Sequence, residues 1–260
     1  MSQLSRAARG GVQAGGAVAE RIICGFQAVG GLLRRQPERV ITLYLDAKLG
    51  PGRRARLPDL DALGVRVETM SVEGLDGLSG QVKHQGIAAR VHGGELLGEA
   101  QAKDLVLGLS EPLLLLLDGV EDPRNFGACL RSADAAGADL VVVGRSRNVG
   151  LTPAVSKVAA GAAEVLPVAA VPNLARFMAW LSSQGIVLIG TDDEAGAGLY
   201  ATDLRGSLGL VMGAEGKGLR RLTRERCDQL VSLPMQGSVE SLNVSVATGI
   251  CLYEALRQRS

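Results

Sequence analysis

Aromatic residues are scarce in this chain: three Phe, three Tyr and one Trp make up 3% of 260 residues. A surface that binds single strands by stacking successive bases on rings is therefore excluded. Histidine is scarcer still, with only His84 and His92. Any chemistry in the second half must proceed without an imidazole base. The four cysteines, Cys24, Cys129, Cys227 and Cys251, stand far apart with no C-x-x-C pair. That argues against zinc and disulfides and for reduced, buried thiols in a cytoplasmic protein, with no metal expected. No apolar run reaches the roughly 20 residues that cross a bilayer, so no membrane partner is expected. A net charge of +1 rules out a blanket polycation.

What remains is a core-rich globular chain, 47% hydrophobic and 21% charged, with room for one large or two modest domains. The first 110 residues carry 14 basic and 11 acidic side chains, a balance of +3, and the remainder 14 and 16, a balance of −2. Basic residues gather at Arg34, Arg35 and Arg39, at Arg53, Arg54 and Arg56, and at Arg220, Arg221, Arg224 and Arg226. Any one cluster is ordinarily a solvated helix face; three together are compatible with RNA contact. Residues 1–20 are rich in Gly and Ala and contain Arg6 and Arg9 without an apolar core, which predicts a disordered basic tail rather than a secretory signal.

The organisation reads in two parts. Residues 21–92 form a small α/β unit: a helix over Phe26–Arg35, a strand over Val40–Leu45, a short helix Leu60–Leu63 stopped by Gly64, and strands over Val65–Thr69 and Gly86–Val91. Residues 93–110 are polar and Gly-containing and read as a linker, in part helical. From 111 to 260 strands alternate with helices. The expected strands are Leu113–Leu117, Leu140–Val143, Val165–Val168, Ile186–Ile189, Leu208–Met212 and Leu230–Leu233. Between them lie helices over Pro123–Ala136, Pro153–Ala160, Asn173–Gln184 and Leu219–Arg226, and a last one over Leu242–Arg257. Asp122 and Thr152 each precede Pro and read as N-caps. This alternation implies a parallel sheet covered on both faces, with ligands at the carboxyl ends of its strands.

Those ends carry three motifs. The first is DGVEDPRNFGACLR, Asp118–Arg131, with Asn125 and Arg131 about 120° apart on an ideal helix; spacing alone makes Arg131 a surface ion-pair partner of Asp134 or Glu164. The second is LVMGAEGKG, Leu210–Gly218. It is neither a P-loop nor a Rossmann fingerprint, because its glycines run G-x-x-G-x-G. The third is LVSLPMQGSVESLNVSVATGICLYEALRQR, Leu230–Arg259. Its helix sets Val246, Ile250, Tyr253 and Leu256 on one apolar stripe and Ser241, Ser245 and Gly249 on a small-residue face, with Ser241 and Asn243 at the amide-rich start.

In their order and spacing these motifs resemble the signatures of the SpoU (TrmH-like, SPOUT) RNA 2′-O-methyltransferases. The surrounding text, LRSADAAGA, SKVAAGAAE and RRLTRE, is similar to the branch acting on a guanosine of 23S ribosomal RNA. The resemblance implies an α/β fold: a carboxyl-terminal parallel-sheet domain with a trefoil knot, behind a small L30e-like domain that holds RNA. The opening GFQAVGGLLRR and the HQGI at His84 carry the second likeness, so Arg34, Arg35, Arg39, His84 and Gln85 become candidate RNA contacts. S-adenosylmethionine (SAM) is the implied cofactor, bound around Thr191, Gly213, Leu233 and Leu242. Asn125, Arg131, Glu215, Ser241 and Asn243 are the implied catalytic set. Ribosomal RNA, within an assembling large subunit or free, and a second copy of the chain are the implied partners. An arginine matching Arg131 is proposed in the family to assist deprotonation; a guanidinium that stays protonated fits better as a phosphate clamp, with Glu215 or water taking the proton. Three other readings stand beside this one: a transfer-RNA 2′-O-methyltransferase, a non-catalytic RNA-binding protein and an NAD-dependent dehydrogenase.

Overall fold

The computed structural model describes residues 20–80, 83–92, 96–146 and 150–260. The expected tail lies outside the described residues except for Glu20, which begins the first strand. The first unit comprises β1 (Glu20–Cys24), α1 (Phe26–Arg35), β2 (Val40–Asp46), α2 (Pro51–Arg54), β3 (Val67–Met70), α3 (Val72–Ser79) and β4 (Ile87–His92). Its sheet runs β1-β4-β2-β3, with β4 antiparallel to both neighbours and β3 parallel to β2. Val29, Leu32 and Leu33 of α1 cover one face beside Leu43 and Ala89; Leu75 of α3 covers Tyr44 and Ala88 on the other. The helix expected over Leu60–Leu63 is only a turn. It is too short to repay nucleation, although Gly64 does reverse the chain there at φ +63°.

The second unit begins earlier than expected. Helix α4 (Glu99–Leu107) occupies much of the segment read as a linker, and its Ala102 and Val106 are buried in the core. There follow β5 (Leu113–Asp118), α5 (Pro123–Ala135), β6 (Leu140–Gly144), α6 (Pro153–Ala159), α7 (Ala162–Val165), β7 (Val168–Val171), α8 (Leu174–Ser183), β8 (Val187–Thr191), β9 (Ala197–Gly198), β10 (Leu208–Gly213), α9 (Arg221–Arg224), β11 (Gln229–Ser232) and α10 (Val244–Arg259). The strand expected at Val165–Val168 lies three residues later, because Val165 ends α7 and packs into the core of the first unit. Asp122 caps α5 by accepting from the Arg124 amide at 2.7 Å, and Thr152 caps α6 through Val155 N at 3.4 Å.

All pairings in this sheet are parallel, in the order β7-β6-β5-β10-β8-β11-β9. β5 (LLLLLD) is buried at every position, as a strand covered on both faces must be. Phe126 and Leu130 of α5, Val155 of α6 and Leu252 of α10 cover one face; Phe177 and Leu181 of α8 and Val106 of α4 cover the other. The chain runs outward through β6 and β7, crosses back to β8, and only then inserts β10 beside β5. That reversal between β5 and β10 opens a crevice at their carboxyl ends, where doubly wound sheets bind ligands.

Candidate active site

Three loops meet at that crevice, following β8, β10 and β11, and Asn125 of α5 bonds to the last of them. The loop after β10 turns on itself: Gly218 N donates to Ala214 O at 2.9 Å and Ala214 N donates to Gly218 O at 3.1 Å. The turn needs glycine at its base, since a Cβ on Gly213 would sit 2.5 Å from Gly218 O and from Leu219 N. Glu215 projects from the tip. Its Oε1 accepts from Asn243 Nδ2 and, at 3.4 Å, from Val244 N. The same Asn243 Nδ2 donates to Asn125 Oδ1 at 3.0 Å, across 118 residues. Asn243 Oδ1 accepts from Ser245 N at 3.0 Å and Ser245 Oγ at 2.6 Å, which makes Asn243 the N-cap of α10 and fixes its amide orientation. One residue from each motif thus enters a single hydrogen-bonded cluster.

Glu215 and Asn243 of this cluster line a cleft of about 760 Å3, together with Thr191, Gly213, Leu233, Ser241 and Leu242 among others. Its volume falls within the roughly 300–1,000 Å3 usual for small-molecule sites. Five carboxylates line it, from Asp192, Asp193, Glu194, Glu215 and Glu240, against the cations Lys217 and Arg224. Arg224 is already spent on Asp192, 2.6 Å away. The interior is therefore net negative and suits a cationic ligand better than a polyphosphate. Arg131 stands apart. It is exposed on α5, is not among the cleft residues, and among the described residues makes no ion pair with Asp134 or Glu164; Glu164 pairs instead with Arg21 at 3.5 Å.

Comparison with known proteins fits this geometry. The profile of the SpoU rRNA methylase family matches residues 112–253, and that of the RNA 2′-O ribose methyltransferase substrate-binding domain matches residues 22–96. The chain belongs to the SpoU methylase family. It is 51% identical over 243 residues to the 23S rRNA (guanosine-2′-O-)-methyltransferase RlmB of Shewanella oneidensis, covering 92% of this chain and 97% of that protein. The RlmB of Escherichia coli K12 is 50% identical over 244 residues, with 92% and 99% covered. Among solved structures, the SpoU methyltransferase AviRb from Streptomyces viridochromogenes, in complex with AdoMet, matches with a TM-score of 0.70 at 27% identity, over 92% of this chain and 90% of its own. The A. aeolicus TrmH/SpoU tRNA modifying enzyme matches with a TM-score of 0.52 at 28% identity, over 62% of this chain and 83% of its own.

Asn125, Glu215 and Asn243 meet as their spacing along the chain could not reveal, while Arg131 does not join them. The acidic rim after β8 passed unnoticed apart from Thr191, although TDDE directly follows a parallel strand and the carboxyl-end rule points there. The basic run after the glycine loop changes meaning: Arg220 pairs with Asp118, Arg221 with Glu225 and Arg224 with Asp192. On the first unit Arg34 is exposed, while Arg35 closes α1 with its side chain outside the described residues. Arg39 turns inward and donates to Glu164 O and Gln36 Oε1 at 2.6 Å and to His92 O at 3.2 Å; it serves the junction of the two units. His84 is buried too. Its Nδ1 accepts from Gly86 N at 3.0 Å and its Nε2 faces Asp76 Oδ1 at 3.1 Å, so it braces the turn that presents exposed Gln85 at φ +59°. Arg53 Nη1 donates to Gln85 O at 3.2 Å, placing the second basic cluster beside this turn.

Proposed function

We propose that this protein transfers the methyl group of SAM to the ribose 2′-hydroxyl of a guanosine in 23S ribosomal RNA. The observation that carries the reading is the Asn125–Asn243–Glu215 cluster at an acidic cleft, in a chain half identical to the RlmB proteins across both units. The cleft fits the cofactor: its negative lining matches a sulfonium and an ammonium. The same charge repels the pyrophosphate of NAD, which removes the dehydrogenase reading.

When bound, SAM supplies an activated methyl. The chain supplies position and proton handling. Leu233 and Leu242 flank the cofactor, with Thr191 at its rim and Ser241 beside Asn243. Asn243 holds the Glu215 carboxylate so that Glu215, or a water it orients, accepts the hydroxyl proton. Arg131 clamps the phosphate of the target nucleotide through its guanidinium fork and steadies the developing alkoxide. Among the described residues no ion pair competes for it, and either the RNA or a second protomer brings the target to it. Arg34, Gln85 and Arg53 form the RNA-facing edge of the first unit, with His84 as the brace behind it.

We further read the molecule as a homodimer. The supporting observation is α10, whose Val246 and Tyr253 face outward, 50% and 52% exposed. The trefoil knot rests on family membership. The cytoplasmic location rests on the substrate. Among the described residues no helix is long and apolar enough to cross a membrane and no cluster of side chains could hold a metal ion.

The test is incubation with methyl-labelled SAM and unmodified 23S RNA, free and in precursor particles, with transfer RNA in parallel. Label on a guanosine 2′-oxygen of 23S RNA is the expected result. Label on transfer RNA alone would reassign the substrate, and failure to bind SAM would sink the reading.

A further inference from the structure

Asp118, at the end of β5, takes no part in the chemistry above, yet its side chain is only 1% exposed. A carboxylate so deeply buried is tolerated only when it is hydrogen-bonded and paired. Both partners come from one residue 102 positions away: the Arg220 amide donates to Oδ2 at 2.9 Å, and Arg220 Nη1 stands 3.1 Å from Oδ1. Oδ1 has no aligned hydrogen bond, so the guanidinium charge is what offsets its burial. That guanidinium lies across Gly119. The glycine has φ +84°, and a Cβ there would be 2.9 Å from Nη2. Arg220 is thus gripped by both backbone and side chain, and it covers the turn that leads from β5 to the cap of α5 and on to Asn125.

Arg220 also follows directly on the Gly213–Leu219 turn that lines the cleft. The tip of that turn, residues 215–218, is exposed, and beyond the turn's own three backbone bonds it is held by the contacts of Glu215. An exposed tip of this kind stands where its base puts it. We propose that Asp118 and Arg220 are positioning residues of this site: the buried carboxylate clasps Arg220 and so fixes the glycine turn over the cleft, with Glu215 in reach of Asn243. The proposal rests on the methyltransferase reading for its functional consequence, but the clasp itself acts in the free protein.

Two readouts separate these levels. The first is calorimetric SAM affinity of the full-length wild type, Asp118→Asn, Arg220→Ala, Arg220→Lys and the double variant Asp118→Asn/Arg220→Ala. The second is amide hydrogen exchange of the same proteins without cofactor. Each of Asp118→Asn and Arg220→Ala weakens SAM binding about tenfold, as expected for a charged hydrogen-bonded pair. The double variant is no worse than the weaker single, because the two residues act as a unit, and Arg220→Lys recovers part of the loss. Exchange at the Ala214 and Gly218 amides accelerates while β5 and β10 keep their protection. Unchanged affinity in both singles, losses that add in the double variant, or unchanged exchange at the turn would each overturn the proposal. If the wild type itself fails to bind SAM, the methyltransferase reading falls and the exchange data still decide the clasp. Should Asp118→Asn fail to fold, Arg220→Ala carries the test, since it trims a side chain that is 45% exposed.

Discussion

Asn243 is the residue on which the three motifs converge, because its amide has donors and an acceptor to spend at once. Its Nδ2 serves Asn125 and Glu215 while its Oδ1 caps α10. Asn243→Ala removes all of these and leaves Glu215 with the longer Val244 N–H bond alone. Losing hydrogen bonds to a charged group costs about 1.5–3 kcal/mol, so kcat should fall roughly 10- to 100-fold, with a smaller effect on SAM affinity; equal losses in both would mean that Asn243 shapes the pocket rather than the reacting end. Arg131 is tested by a different signature. A guanidinium that clamps phosphate loses activity on Arg131→Lys, since the bidentate fork is gone, while the pH–rate profile keeps its shape. A displaced basic limb would make Arg131 the base. Gly213→Ala belongs to the same scale: its Cβ would strike Gly218 O and Leu219 N, so overpacking of about 1–3 kcal/mol should appear as a lower Tm and as lost SAM binding.

Helix α10 shows where a sequence is legible and where it is not. Its helical period follows from the residues, but it starts at Val244, two residues later than expected, because Asn243 caps it. Which face it buries does not follow from them. Of the apolar stripe, Val246 and Tyr253 point outward while Ile250 packs part-buried against the core, and Val244, Thr248, Cys251, Leu252 and Ala255 face the core. Beside Val244 and Leu252 the buried face carries the small side chains Thr248, Cys251 and Ala255, where α5 approaches closely: Cys129 Sγ meets Thr248 Oγ1 at 3.5 Å, and a Cβ on Gly249 would lie 3.6 Å from Ser132 Oγ. A ranking by hydrophobicity reverses such a helix, because the surface its outer stripe is read to meet is not in the chain that folds around it. In the same way strand identity was legible from apolar runs, but the β7 boundary was not, since Val165 takes its burial from the other unit. If the outer stripe is a dimer surface, Val246→Glu or Tyr253→Arg should yield a folded monomer in light scattering; an unchanged mass would exclude α10 from the interface. The end of α10 makes a pH prediction. Arg257, and after it Gln258, hold the Glu254 carboxyl down at about 2, and Gln258 ties that end to Thr202 O and Leu204 N. A carboxylate with a lowered pKa stabilises the fold above its unfolded value and loses that contribution as pH falls toward 2. Glu254→Gln should therefore flatten the acid limb of Tm against pH below about 4.5, near the ordinary Glu value, and leave other pH dependence alone.

At the scale of the whole molecule, the question is what holds the first unit in register with a cleft it does not line. The junction is small and polar at its rim. Val165 of α7 enters the core beneath α1, Arg39 donates to Glu164 O and His92 O, and Arg21 stands 3.5 Å from a Glu164 carboxylate that is 3% exposed. Burial holds the Arg39 guanidinium below its ordinary value, and the field of Glu164 opposes that shift. The two residues therefore depend on each other. Arg39→Ala leaves two carbonyls without their donor and weakens the field around a buried carboxylate, at a cost of about 1–3 kcal/mol. None of these atoms touches the cleft, so SAM affinity should be unchanged. RNA affinity and methylation rate should both drop if the junction sets the span between the RNA-facing edge and Glu215. Calorimetry should then resolve two unfolding transitions where the wild type shows one, because loosely coupled units melt apart. A variant that methylates RNA normally despite split transitions would mean that the RNA itself, rather than the junction, aligns the two units. In that case the inward turn of Arg39 serves stability alone.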